Sequence, residues 1–270
     1  MKVLVTGSTG NVGREVVKQL HKRGAEVRVI ARKPESANFP AGIEVVHGDL
    51  TDPQSIRKAI KGTDKLFLLN AVGADELTQA LITYGIAKRA GIKHVTYLSV
   101  FKADRFRDVP HFASKVAVES ALREFSVPYT ILRPAYFFQN DLTLKPLLHQ
   151  MGIYPMPIGT AGISAVDSRD IAEAAAVTLT EAGHEGKTYD LVSSSQISGP
   201  NNARLWGEVL GKQIVYTGHD FDAWEEQMSR QLPGWMAYDM RTMLEGYFER
   251  GFSSTQRDVD SVTKLLGHRQ

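Results

Sequence analysis

Apolar positions in the first half of the chain fall into short unbroken runs separated by longer amphipathic stretches. Runs at 2–6, 26–31, 44–47, 65–69, 94–99 and 129–133 read as strands. Several, such as 65–69, are apolar nearly throughout, as expected of strands covered by helices on both faces. Helical patterns lie between them at 11–22, 52–60, 75–90 and 112–125. Gly24 supplies a stop for the first, Asp52 and Pro53 a start for the second, and Gly91 a stop for the third. This alternation predicts a parallel sheet with crossover helices.

The pattern changes after Arg133. A helix is expected over 142–151, a Gly- and Pro-containing loop over 152–162, and a long alanine-rich helix over 171–180, capped by Asp167-Ser168-Arg169-Asp170. Residues 187–192 read as a late strand returning to the sheet. Beyond 193 come a helix at 201–210, a strand at 214–217 and further helices.

Thr6-Gly7-Ser8-Thr9-Gly10-Asn11-Val12-Gly13 stands directly between the first strand and the first helix. A helix start carries unpaired N–H groups and a positive dipole end, which together bind phosphate. Gly7 allows a tight turn off the strand, Gly10 a close approach of backbone to a pyrophosphate, and Gly13 close packing of the helix. Thr9, Asn11 and Val12 complete the expected cradle. The fold class is therefore α/β, a doubly wound parallel sheet of Rossmann type with a smaller α/β C-terminal lobe. The expected division is a nucleotide-binding domain over 1–140, rejoined by 163–192, and a substrate lobe from 141–162 and 193–270.

Composition narrows the partners. The 270 residues are 43% hydrophobic and 23% charged, with a net charge of +2 and dispersed Lys and Arg, so no nucleic-acid footprint is expected. There is no cysteine, and the eight histidines lack the short spacings of zinc motifs, so no metal site is proposed. No apolar stretch has the length of a membrane span and the chain opens on its first strand, so a cytoplasmic location is expected. A homodimer is left open.

The residue that follows the second strand selects between dinucleotides. An acidic side chain about 20 residues beyond the glycine motif would take the ribose hydroxyls of NAD. Here Arg32 and Lys33 occupy that place, and a guanidinium pairs with a 2′-phosphate, which favours NADP(H). After the third strand, Asp49 and Leu50 read equally as an adenine contact and as a turn. Asn70, at the end of the fourth strand, either contacts the cofactor or caps a loop.

Together these residues resemble the atypical short-chain dehydrogenase/reductases, specifically the NmrA-like group. The likeness covers nearly the whole chain. Its further landmarks are Tyr97-Leu98-Ser99, His111-Phe112-Ala113-Ser114-Lys115 with Glu119, Pro128 through Pro134, Asn140, and Asp167 through Ala172. The resemblance implies NADPH-dependent reduction of a flat, aromatic or conjugated small molecule such as a quinone, an azo compound or an enone. It also includes regulators that bind NADP(H) without turnover, which is the alternative reading. An epimerase or dehydratase is a third. Ordinary short-chain dehydrogenases carry a Tyr-x-x-x-Lys pair after the fifth strand. Here Tyr84 and Lys88 have that spacing but precede the fifth strand, so Tyr84 is expected to pack rather than react. His111 and Lys115 stand at the matching position, one helical turn apart, and are the catalytic candidates. Glu119 is expected at most to orient Lys115. Ser99 either contacts nicotinamide or turns the chain. Pro134 and Tyr136 are expected at the nicotinamide carboxamide, and Phe137, Phe138 and Asn140 at the substrate. The aromatics read equally as core between lobes, and so do Trp206, Trp224 and Trp235.

Overall fold

Each unbroken apolar run of the first half becomes a strand, and each amphipathic stretch a helix. In the computed structural model, which describes residues 1–270, the order is β1 (Lys2–Val5), α1 (Asn11–Lys22), β2 (Glu26–Ala31), β3 (Glu44–His47), α2 (Pro53–Ile60) and β4 (Lys65–Leu68). Then come α3 (Glu76–Arg89), β5 (His94–Leu98), α4 (Pro110–Glu124) and β6 (Tyr129–Pro134). The caps act as their chemistry dictates: Asp52 accepts from the backbone N–H groups of Gln54 and Ser55 ahead of Pro53.

Beyond β6 the chain forms β7 (Tyr136–Phe137), β8 (Ile153–Tyr154), β9 (Ile163–Val166), α5 (Ser168–Thr180) and β10 (Lys187–Leu191). The remainder is β11 (Gln196–Ile197), α6 (Gly199–Leu210), β12 (Val215–Tyr216), α7 (Phe221–Ser229), α8 (Gly234–Arg250) and α9 (Gln256–Leu266). Seven parallel strands form the main sheet in the order β10-β6-β5-β4-β1-β2-β3. Successive β1 residues enter different cores, Val3 and Val5 on the face of α1 and α5, and Leu4 on the face of α2 and α3. Both faces are therefore apolar, which is why the strands read as continuous runs. The larger core continues through Tyr247 and Phe252, and α9 returns to lie against β10 and α5.

Two expectations of the second half needed correction. Residues 142–151 do not form one α-helix: the chain makes a 3₁₀ stretch at Phe138–Leu144 and a π-helical turn at Leu147–Met151. Pro146 removes a backbone donor between them, and Asp141 turns inward to Tyr154, Asn202 and Trp206. The expected loop at 152–162 contains β8, which pairs with β12, and residues 163–166 form β9 between β7 and β11. Two-residue strands show no alternation to read, and their partners are distant in sequence.

Candidate active site

The strand order reverses direction between β1 and β4, and crossovers depart to opposite sides there. In an open parallel sheet that geometry leaves a crevice beyond the carboxyl ends of the strands. A cleft of about 740 Å³ lies at this place, lined by the residues that follow β1 to β6 in turn. Its size is within the usual range for small-molecule sites, roughly 300–1,000 Å³.

One end is built mostly from backbone. Gly7 has φ +60, and a Cβ there would stand 2.5 Å from Leu69 Cδ2. Gly13 packs against the same turn, where a Cβ would stand 2.2 Å from the Gly7 carbonyl oxygen. No side chain caps α1 at Gly10 and its first turn holds no acidic residue, so its N–H groups and dipole face the cleft uncompensated. Arg32 lines the cleft and makes no hydrogen bond or ion pair with the protein. Arg14 braces this end, donating to the Thr9 carbonyl at 3.0 Å and to the Asn38 carbonyl at 3.0 Å. Asp49 serves its turn through Oδ1, which accepts from the Thr51 hydroxyl and N–H at 2.6 and 2.8 Å. Those bonds hold its carboxyl below the usual range. It lines the cleft as well, so the two sequence readings coexist.

The other end is built from side chains. Lys115 and His111 project from the first turns of α4 and both line the cleft. Lys115 is 5% exposed, and its Nζ stands 2.9 Å from Oε1 of Glu76, which is 1% exposed. Neither oxygen of Glu76 takes part in a directed hydrogen bond, so the contact is one of charge. The expected pairing of Lys115 with Glu119 is corrected by this arrangement. Glu119 is fully buried and accepts from Ser99 at 2.6 Å, from Arg133 at 2.8 and 2.6 Å, and from Arg123 at 2.8 Å. Burial pushes its carboxyl up, but Arg133 and Ser99 outweigh that and hold it below the ordinary value. Ser99 lines the cleft while its hydroxyl proton is committed to Glu119. His111 is held by Asp239 of α8, 128 residues away, with Nδ1 to Oδ2 at 2.5 Å.

Fifteen of the candidate residues meet in this one cleft: Gly7, Thr9, Gly10, Asn11, Val12, Arg32, Asp49, Leu50, Asn70, Ser99, His111, Lys115, Pro134, Phe137 and Asn140. Four do not. Gly13 is buried behind the turn, and Lys33 is exposed beyond its rim. Tyr136 points away into the core, where its hydroxyl lies 3.4 Å from Asp141, and Phe138 packs against the same core. The alternation of β7 separates Tyr136 from Phe137, and Phe138 already belongs to the 3₁₀ stretch that follows. None of the three tryptophans lines the cleft, and Trp206 donates to Asp141 at 3.2 Å. Tyr84 is 2% exposed and donates to the Phe125 carbonyl at 3.0 Å, well away from the cleft.

Sequence reasoning missed Glu76, Gln79 and Asp239. Glu76 in the first turn of a helix reads as an ordinary dipole partner, which conceals its burial. Asp239 lies within a helix that has no clear apolar stripe, and nothing local ties it to His111. Gln79 accepts from Asn70 Nδ2 at 3.4 Å, while Asn70 Oδ1 is buried with no partner.

That unpartnered oxygen tests whether a dinucleotide fits. A buried acceptor on a cleft wall calls for a donor such as a ribose hydroxyl or a carboxamide. The uncapped α1 N-terminus calls for an anion, and free Arg32 for a second one. Glycine at position 48, where a Cβ would stand 2.7 Å from Ile30 Cγ2, keeps the wall between β2 and β3 flat. The residues present fit a phosphorylated dinucleotide. No group of three or more His, Asp or Glu side chains has a geometry suited to a metal ion, and no helix is long and apolar enough to cross a membrane.

Comparison with known proteins agrees with this geometry. The (4-alkanoyl-5-oxo-2,5-dihydrofuran-3-yl)methyl phosphate reductase of Streptomyces griseus subsp. griseus is 31% identical over 234 residues, 86% of this chain and 82% of that protein. The NADPH-dependent quinone oxidoreductase of Escherichia coli, solved with NADPH, superposes with a TM-score of 0.88 at 28% identity, covering 99% of this chain and 95% of that one. The triphenylmethane reductase of Citrobacter sp., solved with NADP(H), gives 0.88 at 29% identity, covering 100% and 96%. A model of the NmrA-like family matches residues 1–264. The chain belongs to the NmrA-like family.

Proposed function

We propose that this chain is an NADPH-dependent oxidoreductase that reduces a flat, conjugated acceptor such as a quinone, an azo compound or an enone. One observation carries the reading: a single cleft joins an uncapped glycine turn and a free Arg32 to a buried Lys115 and a braced His111. The Escherichia coli and Citrobacter proteins, each named as acting on a conjugated acceptor and solved with NADPH or NADP(H), support it.

Backbone of Gly7 and of Thr9 through Val12 holds the pyrophosphate, and Arg32 takes the 2′-phosphate. Asp49 and Leu50 flank the adenine. Asn70 Oδ1 receives a hydroxyl or amide donor, and Ser99, Pro134 and Lys115 flank the nicotinamide. Phe137 and Asn140 wall the acceptor side. When bound, NADPH supplies the hydride. The chain's own residues orient the acceptor, exclude water, hold one positive charge and deliver one proton. Lys115, fixed by Glu76, places its charge where an acceptor oxygen or nitrogen becomes negative. His111, one turn earlier on α4, hands over the proton.

The test is NADPH oxidation across quinone, azo and enone acceptors. Many turnovers per protein are expected, and tight cofactor binding with no turnover on any class would overturn the reading. In the same assay Arg32→Ala weakens NADPH by roughly 1.5–3 kcal/mol, or about 10- to 150-fold, and leaves NADH little changed. Equal losses for both cofactors would remove the 2′-phosphate assignment.

A further inference from the structure

We propose that Asp239, contributed by α8, is the positioning residue that makes His111 the proton donor, an inference that rests on the reading of His111 given above. One fully buried carboxylate makes two bonds to one residue. Oδ1 accepts from the His111 backbone N–H at 2.9 Å, and Oδ2 pairs with His111 Nδ1 at 2.5 Å. The first bond caps α4 from another element, because the residue before that helix, Val109, has no side-chain oxygen to do so. The second fixes the ring, which also stands edge-on to Phe112 at 4.6 Å between centroids. Nε2 has no protein partner, and His111 is part of the cleft wall, so this nitrogen is the one presented to the acceptor.

Asp239 has no other hydrogen-bond partner. A carboxylate taken wholly out of water needs compensating charge, and the α4 N-terminus and the His111 ring are what it faces. The proton balance follows. A quinone that receives hydride from NADPH becomes a hydroquinone monoanion. The proton on Nε2 passes to its oxygen, the ring is left neutral with its remaining proton on Nδ1, and solvent restores the lost proton. An azo nitrogen needs the same proton. A triarylmethyl cation does not, because hydride alone turns it into the neutral product. Asp239 therefore matters for one class of acceptor and not for the other.

The experiment compares His111→Gln, Asp239→Asn and the double variant on a quinone and on a triarylmethyl cation dye. With the quinone, each single variant lowers kcat by about 10- to 100-fold. The double variant is no slower than His111→Gln, and with the dye each variant loses several-fold less than it does with the quinone. Nitrogen-15 spectra of the cofactor-free protein, taken at a pH high enough for the ring to be neutral, show its one proton on Nδ1 in wild type and on Nε2 in Asp239→Asn. Asp239→Ser, which keeps an acceptor for the α4 N–H but offers the ring no charge, repeats the result if the Asn variant folds poorly. A slow His111→Gln beside a wild-type Asp239→Asn overturns the role of Asp239 while leaving His111 in place. A wild-type His111→Gln on the quinone removes the donor reading itself. Equal slowing of quinone and dye by Asp239→Asn reduces the residue to a structural cap.

Discussion

The two ends of the cleft are made by different means. At the phosphate end, seven consecutive residues and one strand end supply backbone N–H groups, glycines and a free arginine. At the acceptor end, Lys115 and His111 come from α4, Glu76 from α3, Asp239 from α8, and Ser99 from the end of β5. The first needs only local geometry and leaves its charges uncompensated for a ligand. The second holds charges inside the protein, each neutralised by a partner far away in sequence. Phosphate binding is an anion meeting a ready dipole, whereas acid–base work requires a charge kept out of water in one place.

The largest effect that would sharpen this contrast lies in the buried pair. Glu76→Ala leaves Lys115 charged and alone, at an expected cost of roughly 3–5 kcal/mol. Thermal melting should show it as a fall of roughly 10 °C in Tm. Glu76→Gln combined with Lys115→Met should recover most of that stability without recovering activity. A Glu76→Ala protein that melts like wild type would mean that the acceptor end holds no buried charge.

A control sits at the amino ends of the strands, away from both. His94 is 3% exposed, with Nε2 3.0 Å from the Thr130 hydroxyl. Burial first, and then Lys65, push its imidazole down from 6.5 to about 4. Between those values the unfolded chain binds a proton that the folded chain refuses, so stability present above pH 6.5 is lost as pH falls toward 4. The loss amounts to roughly 3 kcal/mol. Asp190, pushed up by burial to about 6, acts with the opposite sign as pH falls from 6 toward 3.8. The measurement is therefore the difference between wild type and His94→Gln in urea melts across this window. A difference that does not change with pH would show that His94 is protonated while folded. NADPH affinity should follow neither protein's curve above pH 6.5.

At the phosphate end, Gly13→Ala places a methyl group 2.2 Å from the Gly7 carbonyl oxygen. Separating helix and turn costs roughly 1–3 kcal/mol. The loss should appear in NADPH titrations, because the displaced turn is the proposed phosphate site. Unchanged affinity would mean that the turn does not bind phosphate. The smallest effect is expected from Tyr84→Phe, which removes the bond to the Phe125 carbonyl and costs about 1 kcal/mol of stability with kcat unaltered. A large loss of kcat there would restore the tyrosine–lysine pair that the fold places on the wrong helix.

The same asymmetry decides what could be read in advance. The inner strands of the main sheet, such as β1, β4 and β5, were legible because burial on both faces writes each one as a largely apolar run. The places of Gly7 through Gly13 and of Arg32 were legible because they depend on a strand, a turn and a helix that are neighbours in sequence. His111 and Lys115 could be named as candidates, but their partners could not. Glu119 has the right helical spacing from Lys115 and yet serves Arg133 and Ser99, since β6 brings a guanidinium closer than the helix brings the lysine. Tyr136 was misassigned because a two-residue strand reveals no alternation until its partner β9 is in place, and Phe138 because it opens a 3₁₀ stretch rather than continuing that strand.

By itself, the sequence determined the doubly wound sheet, the glycine turn that opens α1 and the place of Arg32 at the carboxyl end of β2, because local periodicity and backbone geometry carry all three. Only the tertiary structure decided which carboxylate meets Lys115, which one meets His111 and which aromatic faces the cleft. Buried charges are paired by whichever element the packing brings within 3 Å, and that contact leaves no trace in the spacing of residues along the chain.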